Sequence, residues 1–273
     1  MKAYSESGGH AGLPVPRLAL NEGRTTYGAW INFRDPAVVD ILAAEGFDWI
    51  CIDGQHGGAE IHELQPMVEA AHLFSVPSIV RVPGHDAGTL TRVLDTGAGG
   101  IIFPTVEDAA TAETLVAACR FPPHGKRSYG PTRRSPRYPA PVPGNPQEDP
   151  LCILMVETAE GLANLDAILA AGPDAVFVGP YDLSLSLGMT FEELTGEGPG
   201  GVLAGIARRV AAAGVVPGIY TGESGLSETM TGLGFRFMPI ATDSGLLATA
   251  ARGAVSAGGN IGPRKVQGAA ATS

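Results

Sequence analysis

Residues 152–182 read CILMVETAEGLANLDAILAAGPDAVFVGPYD, which is an apolar run, an amphipathic stretch and a second apolar run. Two short strands joined by a helix of this length predict a βαβ unit whose strands lie parallel. The pattern recurs, and it predicts strands at residues 26–33, 47–53, 77–82, 99–105, 152–158, 175–180, 215–220 and 235–240. Eight strands that alternate with helices favour an α/β fold, a closed (β/α)8 TIM barrel, with an open doubly wound sheet as the alternative.

The composition fits one barrel domain and excludes several classes of protein. The chain has 273 residues, close to the ~250 of a TIM barrel, and we predict a flexible segment at 1–24, the barrel at 25–256 and a disordered tail at 257–273. The net charge of −10 argues against nucleic-acid binding, and no apolar run reaches the ~20 residues of a membrane helix. Three cysteines are too few for a disulfide framework, so we expect a reduced, cytoplasmic protein.

Two segments interrupt the alternation of strands and helices. Residues 121–150 form a predicted long loop that is rich in proline, and six of the 18 cations lie between residues 120 and 137. A loop of this length is typical of a functional or assembly element, and a solvated surface loop is the alternative. Residues 188–201 are rich in glycine and acidic residues, and they predict a flexible connector.

Ionisable residues at the carboxyl ends of the predicted strands are the candidates for chemistry, because TIM-barrel active sites lie at that face. Glu157 and Asp182 belong to consecutive strand ends, about 4.8 Å apart, so their carboxylates are candidate metal ligands. Oxygen ligands suit Mg²⁺ or Mn²⁺. The alternative is that Glu157 pairs with Arg81 in a buried structural ion pair.

A histidine and the scarcity of lysine bear on the mechanism. His56 is the candidate general base, because Asp53 three residues earlier is placed to bond one imidazole nitrogen, and a surface histidine is the alternative. The three lysines, Lys2, Lys126 and Lys265, all lie outside the predicted strands. Schiff-base chemistry is therefore disfavoured, and a keto-acid enolate would need stabilisation by a metal and Arg81.

Several motifs occur in one order between residues 27 and 254. Among them are Ile52-Asp53-Gly54-Gln55-His56-Gly57, Val80-Arg81-Val82-Pro83, Val156-Glu157-Thr158 and Gly179-Pro180-Tyr181-Asp182-Leu183-Ser184. Together they resemble the HpcH/HpaI aldolase family, the metal-dependent pyruvate aldolases related to 4-hydroxy-2-oxoheptanedioate aldolase. The resemblance implies a barrel whose C-terminal helix is exchanged between subunits, in a homohexamer that is a trimer of dimers.

The resemblance also implies roles for individual residues. Glu157 and Asp182 match the metal ligands, with Mg²⁺ or Mn²⁺ expected and Co²⁺ or Zn²⁺ as further candidates. His56 with Asp53 matches the base dyad, and Arg81 matches the arginine at the keto oxygen. The other candidates are Gln55 for substrate binding, Gly179, Pro180, Tyr181 and Asp182 for the pyruvate carboxylate, and Asp95 near a neighbouring subunit's site. Their position at the ends of the predicted first and seventh strands, and not the resemblance, makes Trp30, Phe33, Tyr220 and Thr221 candidates for substrate binding and specificity.

The expected activity is cleavage or formation of 4-hydroxy-2-oxo acids through a pyruvate enolate, with pyruvate or oxaloacetate and an aldehyde as substrates. The best-known members have Glu where this chain has Gln55 and Gln where it has Met155, a difference that bears on the substrate. Two alternatives use the same metal enolate site: oxaloacetate decarboxylation, and citrate-lyase-like cleavage of an acyl-CoA with the basic run 126–137 at the CoA phosphate. A non-catalytic binding barrel is a third.

Overall fold

Eight parallel strands close into a barrel in which each strand pairs with its successor and the last pairs with the first. The structure, a computed structural model, describes residues 23–130, 143, 149–196 and 198–258. The strands are β1 (Thr26–Ile31), β2 (Trp49–Asp53), β3 (Ser78–Arg81), β4 (Gly100–Phe103), β5 (Leu151–Val156), β6 (Ala175–Val178), β7 (Val216–Ile219) and β8 (Phe237–Thr242). This closed order confirms the (β/α)8 barrel and excludes the open doubly wound sheet.

Helices surround the barrel and follow the strands in the expected alternation. Within the described residues they are α1 (Pro36–Ala43), α2 (Leu64–Leu73), α3 (Ala87–Asp95), α4 (Ala109–Cys119), α5 (Ala159–Ala163), α6 (Leu165–Ala170), α7 (Pro180–Leu187), α8 (Phe191–Gly196), α9 (Val202–Ala212), α10 (Ser224–Leu233) and α11 (Asp243–Ala257). Aspartate caps fix three of the starts, because Asp35 accepts from the N–H of Ala37, Asp86 from that of Thr89 and Asp108 from that of Thr111.

Strand side chains alternate between the barrel interior and the layer beneath the helices. In β2, Trp49 and Cys51 pack in the interior, whereas Ile50 and Ile52 pack in the outer layer. Because side chains alternate along a strand, Asp53 is the next residue of β2 that points to the interior. The same alternation applies to β3, where it leads to Arg81, and to β5, where Met155 precedes Glu157 by two residues. The fold therefore directs these ionisable residues to the carboxyl-end mouth of the barrel.

Several predicted boundaries were wrong by a few residues. Glu157 was placed inside a strand at 152–158, but β5 ends at Val156 and Glu157 is the next residue. The single helix predicted between the strands at 152–158 and 175–180 is two helices, α5 and α6, which meet at Asn164. The predicted connector at 188–201 contains α8 and a 3₁₀ turn at Gly198–Gly200, since Thr190 and Glu193 cap α8 reciprocally.

Other expectations concern the edges of the domain. Helix α11 extends to Ala257, one residue into the predicted tail. The segments 1–22 and 259–273 lie outside the described residues, as do Arg133, Arg134 and Arg137 of the predicted basic loop. All three cysteines are buried free thiols, which agrees with the absence of a disulfide framework. None of the helices in the described ranges combines the length and apolar character needed to span a bilayer.

Candidate active site

A cavity of about 250 Å³ opens at the carboxyl ends of the strands, where a TIM barrel carries its active site. It brings together many of the residues that the sequence singled out. The wall includes Trp30, Asp53, His56, Arg81, Gly179, Pro180, Tyr181, Asp182 and Tyr220. Residues from β1, β2, β3, the start of α7 after β6, and the loop after β7 therefore meet in one place, as the placement of ionisable residues near strand ends predicted.

A buried ion pair joins β2 to β3 at the floor of this cavity. Arg81 donates from Nε to Asp53 Oδ1 at 2.9 Å and from Nη2 to Oδ2 at 2.6 Å. The two residues are register partners on neighbouring strands, and they are 8% and 1% exposed. Burial alone would raise the pKa of Asp53, but the bonds and charge of Arg81 outweigh it and lower that pKa below its ordinary value. Asp53 is therefore ionised at neutral pH.

The predicted dyad of His56 and Asp53 has a different geometry from the expected one. Asp53 contacts His56 through the backbone N–H of His56, at 3.3 Å, and not through the imidazole. Its carboxylate also accepts from the N–H of Gln55 at 3.0 Å and from Trp30 Nε1 at 3.2 Å. The physical reason is that the guanidinium of Arg81 occupies both carboxylate oxygens. His56 itself lies exposed on the cavity wall, where its ring is accessible to a substrate.

Glu157 is a buried carboxylate, 5% exposed, held by hydrogen bonds from Thr105. The backbone N–H and the hydroxyl of Thr105 donate to Glu157 Oε1 at 2.8 and 3.0 Å. Burial raises the pKa of Glu157 above its ordinary value; the Thr105 bonds oppose this, and the nearby carboxylate of Asp182 adds to it. The alternative structural pair between Glu157 and Arg81 is not formed, because Asp53 takes the bidentate face of Arg81.

Glu157 and Asp182 have the chemistry of a divalent-metal site. Both hydrogen bonds from Thr105 end on Oε1 of Glu157. The other oxygen, Oε2, faces Gly179, and a Cβ atom added to Gly179 would lie only 2.6 Å from Oε2. Asp182 lies in the first turn of α7, not at a strand end. Two mutually repelling carboxylates with an open oxygen suit a hard cation such as Mg²⁺ or Mn²⁺. The described ranges hold no cluster of three or more His, Cys, Asp or Glu ligands, so substrate and water would complete the coordination.

Substitution of Gly179 by alanine tests this open space. The new methyl group would lie 2.6 Å from Glu157 Oε2 and 2.7 Å from the Met155 methyl, so we expect Mn²⁺ affinity to fall about tenfold or more. The control is Gly205→Ala on α9, where a Cβ meets nothing within 4 Å. Titration of metal-free protein with Mn²⁺ is the measurement, and equal affinity in both variants would contradict a metal at Oε2.

The start of α7 supplies a cradle for an anion. Gly179 is its N-cap and Pro180 its first residue, so the N–H groups of Tyr181 and Asp182 belong to the helix turn that lacks intrahelical acceptors. Backbone N–H groups in this position, with the positive end of the helix dipole, bind carboxylates and phosphates. The predicted carboxylate cradle therefore lies directly beside the candidate metal ligands.

Four other predicted residues lie away from the cavity wall. Gln55 has a buried side-chain oxygen, Oε1, with no hydrogen-bond partner among the described residues. Asp95, at the end of α3, lines a separate hollow between α3 and α4 together with Arg127, and burial raises its pKa. Thr221 is buried and bonds to Ser227 Oγ at 2.6 Å. Phe33 is exposed, at 39%.

Two residues near the site were missed by the sequence reasoning. Thr105 follows β4 directly and binds Glu157, and its position after Phe103-Pro104 at a strand end was the available signal. Asn32 lines the cavity and is anchored by Asp243, whose carboxylate accepts from the backbone N–H and the side chain of Asn32. Asp243, the first residue of α11, thus fixes the loop after β1 to the start of that helix. Both missed residues are uncharged, so a search for ionisable groups passed over them.

Comparison with known proteins identifies relatives of this chain. The family model described as HpcH/HpaI aldolase/citrate lyase matches residues 26–250, which include every residue of the cavity wall. The chain belongs to that family. It is 35% identical over 243 residues to the hydroxypyruvate/pyruvate aldolase of Roseobacter denitrificans, with 86% of this chain and 94% of that protein covered.

Further members of the HpcH/HpaI family resemble the chain to a similar degree. A 4-hydroxy-2-oxovalerate aldolase of Novosphingobium aromaticivorans is 37% identical over 241 residues, covering 84% of this chain and 88% of that one. The crystal structure of an HpcH/HpaI aldolase/citrate lyase family protein from Burkholderia cenocepacia superimposes with a TM-score of 0.77 at 27% identity, covering 88% and 97%. The chain is therefore a carbon–carbon lyase of the aldolase class.

Proposed function

We propose that this protein is a divalent-metal-dependent aldolase that cleaves or forms 4-hydroxy-2-oxo acids through a pyruvate enolate. The observation that carries the proposal is that Arg81, Asp182 and the start of α7 line one cavity, and that Oε2 of the buried Glu157 faces Gly179 in its wall. Mg²⁺ or Mn²⁺ fits this donor set best, with Co²⁺ or Zn²⁺ as further candidates. The activities for which the relatives are named, hydroxypyruvate/pyruvate aldolase and 4-hydroxy-2-oxovalerate aldolase, support pyruvate as the shared part of the substrate.

Several residues in and beside the cavity have roles in this reaction. Glu157 and Asp182 hold the metal, which supplies Lewis-acid stabilisation of the negative charge that develops on the substrate. The N–H groups of Tyr181 and Asp182 bind the substrate carboxylate. Arg81, whose Nη1 is not used by Asp53, donates to the 2-keto oxygen, where the enolate charge develops. Trp30, whose ring lies 5.0 Å from the Arg81 guanidinium carbon, keeps that guanidinium in place.

His56 is the proposed general base for cleavage. It takes the proton of the 4-hydroxyl group, the C3–C4 bond breaks, the aldehyde leaves, and the electron pair of that bond forms the pyruvate enolate. A proton added at C3 then gives pyruvate. No lysine within the described ranges lines the cavity, and Lys126 lies in the separate hollow between α3 and α4, which supports a mechanism without a Schiff base.

The protein is further proposed to act in the cytoplasm as a homohexamer. Three buried free thiols support a reducing compartment. Helix α11 supports exchange between subunits, because Leu246 and Leu247 are 42% and 61% exposed and only Asp243 of the helix is buried. The same exchange is implied by the family resemblance. Asp95, in the hollow between α3 and α4, is the proposed contribution to a neighbouring subunit's site.

Exchange of the pyruvate α-protons tests the enolate step without an aldehyde. In deuterated water with Mn²⁺ or Mg²⁺ we expect the methyl signal of pyruvate to disappear in proton NMR at a rate proportional to the enzyme concentration. Treatment with a chelator should abolish the exchange, and added Mn²⁺ should restore it. Absence of exchange with every divalent metal tried would contradict the proposal, and exchange that survives complete metal removal would contradict its metal dependence.

A further inference from the structure

The turn after β4 carries an unusual backbone conformation. Thr105 has a φ of +51°, and within the described residues it shares a positive φ with only one other non-glycine residue, Ser75. A β-branched residue is disfavoured there, because its branched side chain crowds the backbone in the left-handed region. Such conformations persist only where surrounding contacts hold them, and they concentrate at functional sites.

Contacts from two neighbouring segments hold this turn. His85, in the loop after β3, bonds through Nε2 to the carbonyl oxygen of Pro104 at 2.7 Å. Because a carbonyl oxygen only accepts, Nε2 carries the proton in this bond. On the other side, the N–H of Val106 donates to the carbonyl of Met155 at 3.0 Å. The residues on both sides of Thr105 are thus held by hydrogen bonds, and these bonds fix the backbone of the turn.

The fixed turn aims two donors of one residue at one oxygen. The backbone N–H of Thr105 lies 2.8 Å and its hydroxyl 3.0 Å from Oε1 of Glu157. The last torsion of a glutamate side chain is otherwise broad, so these two bonds define which oxygen is engaged. Oε2 then faces the space kept open at Gly179.

We propose that Thr105 is a positioning residue that orients Glu157 for a divalent metal. The inference rests on the metal site of the proposed function. Thr105 is an exposed residue, whereas Glu157 is buried, so the threonine side chain adds little apolar packing to the fold. Its two hydrogen bonds go to a carboxylate whose pKa is raised by burial and by the charge of Asp182. The left-handed turn is therefore retained for the direction it gives to Glu157.

Paired substitutions of Thr105 separate positioning from structure. Thr105→Val keeps the shape, the β-branch and the backbone N–H of threonine but removes the hydroxyl. Thr105→Ser keeps the hydroxyl and removes the methyl group. We expect Thr105→Val to weaken the binding of Mn²⁺ to the metal-free protein about tenfold, because it removes a hydrogen bond to a charged group, and Thr105→Ser to stay within about twofold of wild type. Free Mn²⁺ is measured by electron paramagnetic resonance, without substrate or turnover.

The control is Thr114→Val on α4, an exposed threonine whose hydroxyl bonds within its own helix. It should bind Mn²⁺ like wild type. If Thr105→Val does not fold, Thr105→Ala removes the same hydroxyl and is measured in the same way. Unchanged Mn²⁺ affinity in a folded Thr105 variant, with or without a lower melting temperature, would overturn the positioning role and leave the proposed function intact. A wild-type protein that binds no Mn²⁺ would overturn the metal site itself.

Discussion

Replacement of Glu157 by glutamine is expected to lower the rate of pyruvate α-proton exchange about a thousandfold or more and to raise the melting temperature of the metal-free protein. The loss of rate follows from the loss of a charged metal ligand. The gain in stability follows from burial, because burial and the nearby carboxylate of Asp182 raise the pKa of Glu157 and so make its ionised form costly in the folded state. Exchange by NMR and thermal unfolding in a chelator measure the two effects.

The pH dependence of this stability difference has a defined sign. Below the ordinary carboxyl pKa, Glu157 is protonated in both the folded and the unfolded state, and the two proteins should be equally stable. The advantage of the glutamine variant should develop as the pH rises from that value through the raised pKa of folded Glu157, and it should stay constant above it. Added Mn²⁺ should reverse the order by stabilising wild type alone.

Glu160→Gln is the matched control for Glu157→Gln. Glu160 lies three residues further along the chain, in the first turn of α5, and it is exposed. The same chemical change there should leave exchange, melting temperature and Mn²⁺ stabilisation unchanged. If Glu157→Gln retained exchange close to the wild-type rate, Glu157 would not be a metal ligand for the reaction. If it lowered the melting temperature of the metal-free protein, burial of an unpaired charge would not be the dominant effect at this position.

The sequence predicted the positions of the site residues better than their partners. Alternation along β2, β3 and β5 places Asp53, Arg81 and Glu157 on the interior side, and this period of two is visible in the sequence. Whether Arg81 pairs with Asp53 or with Glu157 depends on register. Asp53 and Arg81 lie opposite each other on adjacent strands, whereas Glu157 follows a strand two places away. Register is set by the closed barrel as a whole, so it could not be deduced from the local sequence.

The contribution of Thr105 could not be predicted for a different reason. Its role depends on a positive φ, and threonine is a residue whose sequence gives no hint of that conformation. The turn is held by His85 and by the carbonyl of Met155, which are distant in sequence from each other. Helix α8 was missed because glycine-rich sequence around it suggested a connector, while the reciprocal caps of Thr190 and Glu193 fixed its first turn.

Replacement of Asp53 by asparagine is expected to destabilise the protein by about 3–5 kcal/mol, because it leaves the buried Arg81 guanidinium without its counter-charge. Urea unfolding at pH 7 measures the loss. The control is Asp166→Asn, which removes the same charge from an ion pair with Arg209 at 3.0 Å, where the two side chains are 79% and 38% exposed. Solvent screens that pair, so no measurable change is expected there. Equal effects of the two substitutions would show that burial does not strengthen the Asp53 pair.

The dependence of stability on pH in the acid range should also distinguish wild type from Asp53→Asn. Because the folded pKa of Asp53 is lowered, its ion pair stabilises wild type fully above the ordinary carboxyl pKa and is lost as the pH falls through the lower folded value. The stability difference between wild type and Asp53→Asn should therefore shrink below about pH 4, where the unfolded carboxyl begins to be protonated. A difference that stays constant down to pH 3 would contradict the lowered pKa.

A double substitution then separates stability from catalysis at this pair. Arg81→Met in the Asp53→Asn background removes the uncompensated charge and fills similar space, so much of the lost stability should return. Exchange of pyruvate protons should not return, since the donor to the keto oxygen is absent. Recovery of both properties would mean that Arg81 serves only to neutralise Asp53. Recovery of stability alone would show that the fold tolerates an uncharged pair at these two positions, whereas proton exchange requires the guanidinium of Arg81 at the cavity floor.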